Sequence, residues 1–241
     1  MTQDTQLDIA LSRLVEQLGG DVAPGCSVLL YGSAARGDWD AKRSDVNLLL
    51  VVNDPAPAAL ARLREAVKGW HERGFTPPLL IGRAEWQRAT DVFPIELTDM
   101  HLSHRVLAGP DPLMGQDVRD EDLRSALESA LRGKLMRLRQ AYVRFHDVMP
   151  VLGGFASSSC SELLVLLRAL AVLLGRSPGS TADTAIDAVA PELGESAAAI
   201  RSVASHRRDH EWPCPPELFA QYLLAVQRAA DLVDSTSTGA S

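Results

Sequence analysis

The chain has 241 residues, 46% hydrophobic and 23% charged, with a formal net charge of −7, which suits one large or two modest cores of an ordinary soluble globular protein. The acidic balance excludes general nucleic-acid binding, which needs clustered Lys and Arg to displace counterions, and is compatible with a cationic small substrate. No apolar run is expected to reach the roughly 18 residues of a membrane span, and the polar start MTQDTQLD is no signal peptide, so a cytoplasmic location is expected.

Leu7, Ala10, Leu11, Leu14 and Leu18 recur at helical spacing before Gly19-Gly20, predicting an amphipathic entry helix over residues 5–18. Residues 27–31 then read as a first strand and residues 46–52 as a second, nearly all apolar, as in a central strand covered on both faces. The first strand ends on Gly32-Ser33, eleven residues follow, and Asp45-Val46-Asn47 opens the second. Gly32 lets the backbone approach a phosphate with no Cβ in the way, and Ser33 offers a hydroxyl and the backbone N–H after it. Asp45 and Asn47, two apart in a strand, project from one face. Their oxygens are hard ligands of the kind Mg²⁺ takes beside a nucleotide's phosphates. The same residue types also serve as turn formers and caps. In the intervening loop Arg36, Lys42 and Arg43 either steady a triphosphate or are solvated charges.

Gly32-Ser33, the eleven-residue spacer and Asp45-x-Asn47 in an apolar strand resemble the signature of the DNA polymerase beta-like nucleotidyltransferase superfamily. Ala35-Arg36-Gly37 extends the match to the Gly-Ser-x-Ala-Arg-Gly of its small members, such as kanamycin nucleotidyltransferase and the minimal nucleotidyltransferases. The resemblance covers roughly the first 115 residues. It implies a phosphate cradle at Gly32 and Ser33, Mg²⁺ on Asp45 with Asn47 assisting, phosphate contacts from Arg36 and Arg43, and a nucleoside triphosphate as substrate or ligand. Where the family has a second metal-binding carboxylate this chain has Asn47. Bridging carboxylates offset the repulsion of two adjacent cations, so the loss falls on the second metal.

After Asn53-Asp54-Pro55, residues 57–73 read as a helix through Leu60, Leu63, Val67 and Trp70, and residues 79–81 as a short strand. A brief helical piece spans residues 84–88. In DVFPIELTDMH, Ile95 and Leu97 alternate with Glu96 and Thr98, predicting a half-buried strand with a carboxylate on its polar face. The resemblance implies a third carboxylate on a strand next to the metal pair. Glu96 carries over to that place, as metal ligand or as general base on an acceptor hydroxyl, with Asp99 as the fallback. His101 and His104 could share a metal but read better as surface or cap residues. A last strand is expected at residues 105–107, and the Gly-, Pro- and Asp-rich AGPDPLMGQD marks a domain boundary.

Beyond it the signals are helical. A long helix over residues 121–148 carries Leu123, Leu127, Leu131, Leu135, Leu138, Tyr142 and Phe145, and is expected to end near Pro150 and Gly153-Gly154. Ser157-Ser158-Ser159 is expected to cap an apolar helix over residues 160–174. Helices are expected over residues 181–189, 195–206 and 216–233. The fold class is therefore α+β: a mixed sheet with flanking helices over residues 1–115, a helical bundle over 116–235 and a disordered tail at 236–241. Cys26, Cys160 and Cys214 are too widely spaced for a metal pair or a disulfide framework.

In order and length the helical half resembles the domain that accompanies small nucleotidyltransferases and the bundle of the nuclease toxins paired with them. Those toxins carry Arg, four to six residues, then His, a pattern that Arg201 and His206 fit; a solvated helix end explains the same residues without catalysis. Three functions follow as expectations. The first is transfer of a nucleoside monophosphate from a triphosphate to a hydroxyl of a small acceptor, such as an aminoglycoside-like polyol. The second is a nucleotide-binding or regulatory module that keeps the fold without turnover. The third is a toxin–antitoxin-type protein whose bundle binds a partner or a second copy as a homodimer.

Overall fold

Residues 27–31 and 47–52 are apolar runs short enough to be strands and too apolar to lie at a surface. In the computed structural model, which describes residues 3–21, 26–37, 39, 45–209 and 211–236, with residues 3, 4, 20 and 21 as backbone only, they form the centre of a four-stranded sheet. Strand β1 (Ser27–Tyr31) pairs antiparallel with β2 (Asn47–Val52), from Ser27 opposite Val51 to Tyr31 opposite Asn47. On its other side β1 pairs antiparallel with β4 (His104–Ala108), with Tyr31 opposite His104. Strand β3 (Leu79–Gly82) runs parallel to β2, giving the order β3-β2-β1-β4. The end of β1 and the starts of β2 and β4 thus lie at one end of the sheet.

Helix α1 (Gln3–Asp21) and α4 (Arg64–His71) cover one face, where Leu7, Leu11, Leu14, Leu18 and Trp70 pack against Leu30, Val46, Leu48 and Leu50. Leu29, Leu49 and Val51 point the other way and are equally buried, so both faces are covered, as the unbroken apolar run of β2 predicts. A four-residue turn of helix, α2 (Ser33–Arg36), follows β1 directly.

The single helix expected over residues 57–73 is α3 (Pro57–Leu60), a 3₁₀ turn (Ala61–Leu63) and α4. Leu63, Ala66 and Trp70, three and four residues apart, form the face that enters the core. Beyond β3, α5 (Arg83–Trp86) is the short helical piece. The strand expected around Glu96 is instead a helix, α6 (Pro94–Leu102). Pro94 sits in its first turn, where a missing N–H costs nothing. The Leu97 N–H donates to the Phe93 carbonyl at 2.9 Å and the Thr98 hydroxyl to that of Pro94 at 2.7 Å, and Leu97, Thr98, Asp99 and Met100 are buried in succession, where a half-buried strand would bury every second residue.

The chain divides into two compact units, Met1–Asp117 and Val118–Ser241. In the second, the described secondary-structure elements are all helices, joined by turns. Helix α7 (Asp120–Phe145) buries Leu123, Leu127, Leu131, Leu135 and Leu138 against α8 (Met149–Leu173) and α11 (Pro216–Ser235), with α9 (Ala182–Leu193) and α10 (Ser196–Ser205) completing the bundle. Helix α8 starts eleven residues earlier than expected. Pro150 lies in its first turn, Gly153 and Gly154 are inside it, and Ser157 caps nothing: its hydroxyl donates back to the Gly153 carbonyl at 2.8 Å. The helix also corrects the expectation about apolar runs, since it is long and apolar enough to cross a membrane. Of its most apolar window, 61% is buried inside the protein, which is the pattern of a core helix. Residues 237–241 of the expected tail lie outside the described residues.

Candidate functional site

Gly32 ends β1 with φ 74° and ψ −150°, a conformation that is essentially glycine's alone. From β2 the side chain of Asn47 packs against it: a Cβ built on Gly32 would stand 2.7 Å from Asn47 Nδ2. The Gly-Ser turn and the polar residue of the second strand, fifteen positions apart in the chain, are therefore in contact. Ser33 opens α2, the Arg36 N–H donates to the Gly32 carbonyl at 3.1 Å, and Gly37, left-handed at φ 78°, closes the turn through the Ser33 carbonyl.

A helix of one turn has no stability of its own. Here it is fastened from outside. Arg36 Nη1 donates to Asp99 Oδ1 of α6 at 3.0 Å, with only 7% and 8% of the two side chains exposed. Asp99 is one helical turn beyond Glu96, and both carboxylates are near enough to Tyr31 for their charges to act on its hydroxyl. The Tyr31 hydroxyl is pushed up to about 12, first by burial and then by the charges of Glu96 and Asp99. One end of the sheet thus gathers Tyr31, Gly32, Ser33, Arg36, Asn47, Glu96 and Asp99.

Asp45 precedes β2 and is exposed. It lines a cavity of about 200 Å³ with Trp39, Arg73 and Phe75. Arg43 and Lys42, the other candidate phosphate contacts, lie outside the described residues. Glu96 stands on α6 and not on a strand, and none of the four strands carries an acidic residue. Among the described residues no three His, Cys, Asp or Glu come together as a metal site. By type, one Asp45 carboxylate and the Asn47 amide oxygen are donors suited to a single Mg²⁺ completed by phosphate oxygens and carry too little charge for a pair of cations; Asp45 lines the cavity beside Trp39 and Arg73, whereas Asn47 packs on Gly32.

The remaining candidates have other partners. His101 Nε2 lies 2.8 Å from the Gln116 carbonyl and His104 Nδ1 2.9 Å from that of Met100. Arg201 donates to Asp187 at 2.6 Å, and His206 stacks on Trp212 with ring centroids 4.1 Å apart. Sequence reasoning missed Tyr31 and the role of Asp99 as the partner of Arg36. The first could have been found, since Tyr31 adjoins Gly32. The second is a contact across 63 positions with no local signal.

Compared with known proteins, the chain matches no protein-family model. No curated protein matches it.

Proposed function

We propose that the N-terminal unit is a nucleotidyltransferase-type module that binds a nucleoside triphosphate with one Mg²⁺ at the Gly32-Ser33 turn. The observation that supports this reading is the packing of Asn47 on Gly32, which brings the start of the second strand against the Gly-Ser turn. Gly32 and Ser33 supply close backbone approach and a hydroxyl, Arg36 supplies charge, and Asp45 with Asn47 supplies oxygens for the cation. Mg²⁺ bound there would neutralise phosphate charge. With one carboxylate in that pair, a second cation is weakly held, and binding outlasts efficient turnover.

A second reading is favoured by the position of Glu96. It stands close enough to Tyr31 to affect its proton, so a carboxylate is at hand to take a proton from an acceptor hydroxyl. That would make the protein a transferase of nucleoside monophosphate to a small polyol.

Thermal unfolding against ATP, GTP, CTP and UTP, each with and without Mg²⁺, tests the first reading. A ligand at a hundred times its Kd stabilises by about 2.7 kcal/mol, so a Mg²⁺-dependent rise in Tm is expected for at least one of the four. No rise at millimolar concentration overturns it. The same nucleotides labelled at the α-phosphate, incubated with a panel of polyols, test the second.

A further inference from the structure

We propose that Asp99 is a positioning residue that sets the Arg36 guanidinium for a phosphate; this rests on the nucleotide-binding reading above. Arg36 has five N–H donors in a planar fork. Asp99 takes Nη1 at 3.0 Å. That leaves the Nε–Nη2 edge, the one that meets an oxyanion with two parallel bonds. Among the described residues the Nε of that edge is buried and has no acceptor, which is costly unless a further acceptor arrives. The guanidinium sits on a single turn of helix that begins at Ser33, so its orientation is fixed by what α6 holds and not by α2 itself. Asp99 lies in the stretch of α6 from Leu97 to Met100 that is buried on every side, which holds its carboxylate in place.

The alternative for such a pair is competition, in which Asp99 occupies Arg36 and phosphate must displace it. The two roles have opposite signs. A positioning carboxylate, once neutralised, weakens phosphate binding; a competing one, once neutralised, strengthens it.

The test measures Kd for Mg²⁺-ATP on the full chain as wild type, Asp99→Asn, Asp99→Glu, Arg36→Gln and the Arg36→Gln/Asp99→Asn double variant, with the Arg36 Nε–H resonance followed in the free protein. Positioning predicts that Asp99→Asn raises Kd by about tenfold, the loss of one charge-assisted bond. It also predicts that Asp99→Glu recovers part of the loss, and that Asp99→Asn has no further effect once Arg36 is Gln. The Arg36 Nε–H signal, sharp in the wild type, is expected to broaden in Asp99→Asn. An unchanged or lowered Kd, or equal effects of Asp99→Asn with and without Arg36, overturns the proposal. If Asp99→Asn unfolds, the double variant, which replaces the buried ion pair by two amides, is compared with Arg36→Gln, and any difference in Kd between those two overturns it. If the wild type binds no nucleotide, the functional reading falls and this proposal with it, while a sharp Nε–H resonance would still report the Asp99 contact.

Discussion

The side-chain amide of Asn47 fills the space in front of Gly32, 2.7 Å from where a Cβ would stand. Gly32→Ala therefore meets two obstacles, a backbone conformation that alanine rarely adopts and a clash with Asn47. A loss of roughly 2–4 kcal/mol is expected. Adding Asn47→Ala removes the clash and leaves the backbone strain, so the double variant should be more stable than the sum of the two single changes. Urea denaturation of the four proteins checks this.

Asn47→Asp puts a second carboxylate two residues from Asp45. With nucleotide present, the apparent Mg²⁺ affinity is expected to rise on the order of tenfold, about 1.4 kcal/mol. A Mg²⁺ titration of the nucleotide-dependent Tm reads it. Unchanged Mg²⁺ dependence would place the cation away from residue 47.

Tyr31 provides a pH test of the site's charge. Its phenol is raised from about 10 to about 12 by burial and by Glu96 and Asp99. The neutral form is thus favoured in the folded chain. Its contribution to stability is fully present below about pH 10 and is lost as pH rises toward 12, because the unfolded chain sheds the proton first. Glu96→Gln removes one neighbouring charge and should shift the Tyr31 titration downward in the tyrosinate absorbance. An unmoved titration would mean that Glu96 does not face this end of the sheet.

The three cysteines should separate by reactivity. Burial pushes Cys160 up to about 12 and Cys214 up to about 11, whereas Cys26 is partly exposed. Since the thiolate is the reacting form, the native protein is expected to consume one equivalent of a thiol reagent at about pH 8 and the other two only on unfolding. Labelling followed by peptide mass analysis identifies the site.

Much of this architecture is legible from local patterns. The apolar runs at residues 27–31 and 46–52 announce central strands because a strand buried on both faces must be apolar throughout. The leucines of α7 announce a core stripe. Gly32, Ser33 and Asn47 stand out by type and spacing, and in the structure the Asn47 side chain packs on Gly32. What escapes is settled by distant partners. The IELT segment alternates like a strand, yet Thr98 and Asp99 are buried because Arg36 and the Pro94 carbonyl satisfy them. Gly153 looks like a helix stop, but a Cβ there would lie 1.6 Å from the Trp212 carbonyl. It is a glycine inside a helix because another segment passes against it, and no local pattern carries that information. Gly153→Ala is accordingly expected to destabilise the second unit by about 3 kcal/mol or more, measurable as a lowered denaturation midpoint.

The most direct measurement is a map of backbone amide shifts when Mg²⁺-ATP, or whichever nucleotide raises Tm most, is added to the isotopically labelled chain. The nucleotide-binding account predicts the largest changes at Gly32, Ser33, Ala34 and Arg36, with a second group at Asp45 and Asn47. Shifts confined to residues beyond 118, or none at saturating nucleotide, would contradict it.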